Sequence, residues 1–212
     1  MRPIERGFTL VEIAIVLVLV GLLLGGILKG QEMVTQAKVK SVVADFSGVS
    51  VAYSGYQDRY RAVPGDDPRA ALRWTGAVAG NGDGQVAGKY NSQNVADESR
   101  LWWAHLRRAG FVAGAGTLQP FSTVTGVIGV QTGDGAAPVA SALSGFVSLI
   151  VCFAGLPDKI AIAVDIQMDD GLPTTGTVRG QLQSGPSPDI ATTAVAAYAE
   201  TGSNTYTLCR PV

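Results

Sequence analysis

The apolar run from Phe8 to Leu28 constrains this chain more than any other stretch. Its 21 residues contain a single charge, Glu12, and they follow a polar start that carries Arg2 and Arg6. At a rise of about 1.5 Å per residue, a helix of this length reaches about 32 Å, which is enough to cross a bilayer. A carboxylate buried in the bilayer without a partner costs roughly 2.5–3.5 kcal/mol. The position of Glu12 therefore requires a specific explanation.

Two ordinary explanations of this segment leave Glu12 without a role. A secretory signal has a basic start and an apolar core, but it ends at a small-residue cleavage site that residues 26–30 do not offer. A plain membrane anchor accounts for the apolar run, and the two arginines place its N-terminus on the cytoplasmic side. Such an anchor makes a monomeric, membrane-anchored periplasmic binding domain the alternative from another functional class.

The stretch from Gly7 to Glu12, with the letters GFTLVE, resembles the class III signal of type IV prepilins and pseudopilins. The resemblance implies that residues 1–7 are a leader, which a prepilin peptidase removes between Gly7 and Phe8 before it methylates the new amine. It also implies that Glu12 neutralises the amine of a neighbouring subunit during assembly, because two opposite charges are tolerated together in hydrocarbon. The chain differs from many type IV pilins in having no proline in the middle of this segment.

The resemblance implies a structural subunit of a type IV pilus or pilus-like filament, and a pseudopilin of a type II secretion system is the alternative within the family. The implied partners are other pilin subunits, the prepilin peptidase, and an inner-membrane assembly platform with a separate motor ATPase. The precursor is expected to cross the inner membrane once, with a cytoplasmic N-terminus and a periplasmic head. Its destination is then a pilus at the cell surface or a periplasmic filament. The choice between a major and a minor subunit, and between adhesion, motility, DNA uptake and secretion, stays open.

A second apolar pattern extends the helix beyond the membrane segment. Apolar residues recur at alternating spacings of three and four, which forms one stripe along a helix, and Pro64 ends the pattern. We expect this stripe to pack against the chain's own head, since its three tyrosines suit a half-hydrated interface. A coiled-coil dimer is the alternative. The stripe consists of Val39, Val42, Phe46, Val49, Tyr53, Tyr56 and Tyr60.

These patterns divide the chain into a leader at 1–7, a transmembrane and assembly helix at 8–28, its amphipathic continuation at 29–62 and a pilin-like globular head at 63–212. The expected fold class is α+β, in which the long N-terminal α-helix packs on a head with short helices and an antiparallel β-sheet. Asp66-Asp67-Pro68 predicts a short helix through Trp74, and Asp97 predicts the cap of a second helix from Glu98 to Ala109.

The second half of the head is rich in β-branched and aromatic residues between glycine-rich turns. Strands are predicted at 121–131, 146–153 and 206–209. The apolar residues between 158 and 169 alternate as in a strand, but the aspartates at its two ends are equally typical of a helix, so this element stays undecided. Several motifs of the head also resemble those of large pilin-like heads: Pro64 to Pro68, Asn81 to Gly84, Trp103 to Leu106, Asp169 to Gly176, and Cys209.

Cys152 and Cys209 are the only cysteines in the chain. An anchor with a cytoplasmic N-terminus places them outside the cytoplasm, where a single pair usually closes as a disulfide. The bond would close a loop of about 58 residues and contribute roughly 4 kcal/mol to the free energy of unfolding. Two buried free thiols are the alternative.

The sequence offers few residues for catalysis or ligand binding. A formal net charge of −1 gives no basic footprint for nucleic acid. His105 is the only histidine, so with the cysteines bonded no nucleophile and base can be paired, and an enzyme is not expected. No cofactor is expected either. Calcium is the alternative at the turn of Asn81 and Asp83, with a further oxygen from Asp97 or Glu98, although a calcium loop aligned there lacks its first and last carboxylates.

Overall fold

Helix α1, Leu10–Tyr60, carries the apolar run and the stripe without interruption. The computed structural model describes residues 9–122, 124, 126–136 and 138–212. The helix ends four residues before Pro64, where Arg61 adopts a positive φ of 53° that cannot continue a right-handed helix. The long N-terminal helix expected from the sequence is therefore confirmed.

The chain forms two compact units, Met1–Lys38 and Val39–Val212. In the first unit, every described side chain is exposed except that of Thr35, which is half-buried. The second unit contains all of the buried core found in the described residues. This core is built by the second half of α1 together with the elements of the head.

The apolar stripe of α1 packs against the chain's own head. Val39, Val42 and Phe46 are almost completely buried, and the ring of Phe46 lies 3.8 Å from that of Phe153, centroid to centroid. Tyr56 is buried as well, whereas the stripe's other two tyrosines are half-buried. The expected use of the stripe is therefore confirmed over the coiled-coil alternative.

Among its described residues, the head contains three further helices: α2, Ala70–Arg73, α3, Glu98–Arg108, and α4, Asp158–Met168. Helix α2 is shorter than predicted. Asp97 stands at the N-cap of α3, but its carboxylate makes no cap hydrogen bond and instead accepts from Ser92 Oγ and Asn94 Nδ2. The predicted capping role of the Asp97 side chain is thus wrong, because two nearby loop donors compete for it.

The described part of the head contains five strands: β1, Phe121–Ser122, β2, Gly126–Thr132, β3, Leu149–Pro157, β4, Arg179–Leu182, and β5, Thr205–Pro211. They form one antiparallel sheet in the order β1-β2-β3-β5-β4. With the helices, this sheet confirms the expected α+β class. The predicted strand at 121–131 is in fact two paired strands, and β4 was not predicted at all.

Candidate functional site

The charged group of the apolar segment lies in the first turn of α1. Thr9 precedes the helix, and its backbone N–H and its hydroxyl both donate to one carboxylate oxygen of Glu12, at 2.9 Å each. The backbone N–H of Glu12 donates in return to the Thr9 hydroxyl at 3.3 Å. This reciprocal arrangement is a capping box, which satisfies donors that the first turn of a helix leaves free. Gly7 and Phe8, the predicted cleavage site, lie outside the described residues.

The apolar half of α1 presents side chains that the described chain does not cover. Leu10 is 86% exposed, and Leu17 and Leu22 are exposed to a similar extent. Of the helices in the described ranges, α1 alone has the length and hydropathy needed to cross a membrane, and no residue of its most apolar stretch is buried. Apolar area left in water is unfavourable, so this surface is compatible with a membrane anchor.

Two motifs of the head, Pro64 to Pro68 and Asn81 to Gly84, meet in a second polar centre, formed around Asp66. One carboxylate oxygen of Asp66 accepts the backbone N–H of Gly82 at 2.5 Å, and the other accepts that of Gly84 at 2.7 Å. Asp83 donates a third backbone N–H at 3.2 Å. Asp66 is buried, so these three donors replace the water that its charge has lost. The turn at residues 81–84 is therefore held against the segment that follows α1.

The neighbouring carboxylates are held in the same way. Asp67 accepts a 2.6 Å hydrogen bond from the hydroxyl of Tyr56 and forms an ion pair with Arg73. Glu98 accepts the backbone N–H groups of Asn81 and Ala87, each at 3.0 Å. Burial raises the pKa of Glu98, while the two backbone bonds lower it and the charges of the adjacent aspartates raise it further. These contacts bind the turn, α1 and α3 into one structure.

Three carboxylates of this centre, from Asp66, Asp83 and Glu98, have oxygens within 4.8 Å of one another. Two of the residues proposed for calcium are thus brought together, whereas Asp97 is engaged elsewhere and lies outside the group. A calcium ion takes six to eight oxygens, but the oxygens of Asp66 and Glu98 already accept backbone N–H groups. The donor set therefore fits a hydrogen-bonded turn better than a cation.

His105 is almost completely buried and bonded on both ring nitrogens. Its Nδ1 accepts the backbone N–H of Gly65 at 2.9 Å, and its Nε2 lies 2.8 Å from the carbonyl oxygen of Val78, to which an N–H at this nitrogen donates. This pair of bonds requires the neutral ring, and burial lowers the pKa of His105 accordingly. Gly65 has a φ of 87°, and a Cβ at that position would collide with the carbonyl oxygen of Glu98. Only glycine fits there.

Cys152 and Cys209 are joined by a disulfide. The two residues face each other on the adjacent strands β3 and β5. Both are completely buried, in a small core cluster that also contains Tyr90 and Ile150. The bond ties together two strands in the middle of the sheet.

Two residues of these centres, Thr9 and Asp66, were not predicted in their observed roles. Thr9 lies three residues before Glu12, which is the spacing of a capping box, so this signal was present in the sequence. Asp66 was assigned only to a helix cap, and no local pattern indicates that it bonds a turn more than 15 residues away.

The acidic pair of Asp169 and Asp170 forms a turn: Asp169 accepts the backbone N–H of Val178 at 2.9 Å, and Asp170 accepts that of Leu172 at 2.9 Å.

Comparison with known proteins identifies only the N-terminal segment. A family model described as the prokaryotic N-terminal methylation motif matches residues 2–28. No curated protein and no solved structure matched the chain. The matched residues include the capping box at Thr9 and Glu12 and the exposed apolar half of α1. The chain therefore carries the prokaryotic N-terminal methylation motif, the class III signal of type IV pilins, and it is pilin-like at its N-terminus.

Proposed function

We propose that this chain is a structural subunit of a type IV pilus or a pilus-like filament, rather than an enzyme. The match of the methylation motif to residues 2–28 carries the proposal. In this proposal a prepilin peptidase cuts between Gly7 and Phe8, and the methylated chain then leaves the membrane for the filament. Other pilin subunits and a membrane platform with its motor are the partners. The head remains on the far side of the membrane from the leader.

The exposed surface of α1 supports this role on physical grounds. A membrane protein without a partner covers its apolar helix with lipid, whereas a filament replaces lipid with the apolar helices of neighbouring subunits. Glu12 is the one charge in the described part of this surface, and its carboxylate lies at the N-terminal end of α1. An amine at the start of a neighbouring helix is the group that this carboxylate fits best, because an ion pair reduces the cost of both charges in hydrocarbon.

Mass spectrometry of the N-terminus, in protein from membranes and from sheared filaments, tests the proposal. We expect filament protein to begin at methylated Phe8, and we expect Glu12→Ala to be cleaved normally but to be absent from filaments. Asp58→Ala, which changes an exposed carboxylate on the head-bound half of α1, is the matched control and should assemble. An intact Met1 in every fraction, or normal filaments from Glu12→Ala, would contradict the proposal. Secretion failure without surface fibres would favour the pseudopilin of a type II secretion system.

A further inference from the structure

One groove on the head combines an apolar wall with a single charge. It has a volume of about 530 Å³ and lies between α1 and the start of β1. Asp45 is the one charged residue among those that line it. Its apolar wall includes Val49, Trp103, Phe111, Val112, Phe121 and Ile128.

The wall of this groove is incompletely covered by the chain itself. Phe121, at its rim, is 74% exposed. Gly48 forms part of the α1 side, and a Cβ added there would meet no atom within 4 Å. A side chain from another molecule can therefore approach the helix backbone closely at this point, while it buries the ring of Phe121.

The carboxylate of Asp45 is half-buried, and no donor in the described residues forms a hydrogen bond or an ion pair with it. Burial raises the pKa of Asp45, with no opposing contribution from a partner. A desolvated carboxylate in an apolar groove favours an occupant that is apolar and carries one positive charge.

The chain itself contains a segment of this chemistry. Met33 and Val34 are 66% and 56% exposed on α1, beyond the predicted membrane segment at 8–28, so the rest of the chain leaves them uncovered. Lys38 follows Val34 by four residues, which places the two on the same face of the helix. Lys38 is exposed, and within the described part of the chain no hydrogen bond or ion pair engages it. The same holds for Lys40 on the adjoining face.

We propose that this groove binds residues 33–40 of a neighbouring copy of the chain, with Lys38 of that copy paired to Asp45. The inference rests on the proposed function, because a filament that bundles the apolar halves of α1 brings the following segment of a neighbour close to the head. Val34 and Met33 fill the apolar part of the groove beside Phe121. The pair of Lys38 and Asp45 fixes the axial register between copies, since a shift along the helix separates the two charges.

Charge reversal in the full chain tests this pairing, with the yield of sheared filaments as the readout. We expect Asp45→Lys and Lys38→Asp each to lower the yield at least about tenfold, because like charges then face each other across the interface. The double variant should recover most of the wild-type yield. Asp58→Lys, which reverses an exposed charge outside the groove, is the matched control and should assemble normally.

The outcomes separate this inference from the proposed function. Wild-type filaments together with unaffected single reversals would overturn the pairing and leave the proposed function intact. Loss in both single variants without recovery in the double variant would also overturn it. Recovery of Asp45→Lys by Lys159→Asp would assign the groove to α4 of the neighbour instead. If the wild-type chain forms no filaments at all, the proposed function itself fails.

Asp45→Asn, which removes the charge with little change of shape, should lower the yield less than Asp45→Lys.

Discussion

Buried polar side chains in this head find their partners far along the chain. His105 bonds to Gly65 and Val78, which precede it by 40 and 27 residues. The sequence predicted correctly that His105 is packed and hydrogen-bonded rather than catalytic. It did not indicate which groups His105 bonds, because backbone donors and acceptors are present at every residue and carry no sequence signal.

The neutral ring of His105 makes the stability of the head depend on pH. Burial is the main cause of its lowered pKa, and the charges of Arg73 and Arg108 lower it further, while the Val78 carbonyl raises it. As the pH falls through about 6.5, the unfolded chain takes up a proton that the folded ring resists. The stabilisation is therefore complete above this pH and is lost progressively below it.

We expect the urea midpoint of the full chain in detergent to fall between pH of about 7.5 and about 5.5. His105→Gln keeps a donor and an acceptor but cannot titrate, so its midpoint should fall less over the same range. Glu98, whose raised pKa acts in the opposite direction, is present in both proteins, so its contribution cancels in the comparison. A midpoint that declines equally in both proteins would show that another group is responsible.

The elements of the head show where sequence patterns are sufficient and where they are ambiguous. In α4, Ile160, Ala161 and Val164 are buried while Ile166 is 63% exposed, which is the spacing of a helix. The alternation along this segment nevertheless matched a strand, because the helix also carries apolar residues on its exposed side. Packing of one face of α4 against β3 and β5 decides the matter, and this tertiary context is absent from a local pattern.

The sheet was predicted only in part for a similar reason. β3 and β5 have enough β-branched and aromatic residues to be recognised. β4, Arg179–Leu182, has four residues, a glycine among them, and takes its strand conformation from pairing with β5. Strand formation that depends on a distant partner gives no local signal.

The disulfide between β3 and β5 should contribute strongly to the stability of the sheet. Replacing both cysteines by alanine removes a closed loop with a sequence separation of 57 residues, which we expect to cost about 4 kcal/mol of unfolding free energy. Urea unfolding of wild type and of the Cys152→Ala, Cys209→Ala double variant measures the difference. Reduced wild type is the control and should unfold at nearly the same urea concentration as the variant. A loss well below 1 kcal/mol would contradict the expected role of the bond.

At the scale of the whole molecule, the buried core and the apolar half of α1 are formed by different parts of the chain. No described side chain before Val39 is buried, so residues 9–38 contribute nothing to the core. The sequence predicts a membrane helix at 8–28, its amphipathic continuation at 29–62 and a head at 63–212. The compact unit that begins at Val39 includes the stripe, because the buried residues of the stripe belong to the core of the head.

A chain shortened to begin at Gly30 should therefore fold without detergent. We expect a soluble protein that forms the disulfide and unfolds in one cooperative step in urea. Phe46→Ala in the same shortened chain should cost about 3–5 kcal/mol, because it removes a buried ring that contacts Phe153. Aggregation of the shortened chain, or a gradual loss of structure, would show that the first unit is needed for folding.

The strand order has a consequence for the timing of folding. β5 lies between β3 and β4, so the strand that is synthesised after the other four fills an inner place in the sheet. β4 pairs with no other strand among the described residues, and one edge of β3 stays open, until the segment at 205–211 arrives. Before this segment is synthesised, the edge of β3 and the edge of β4 that β5 will occupy are both unpaired. Unpaired strand edges make the incomplete head a target for chaperones and proteases.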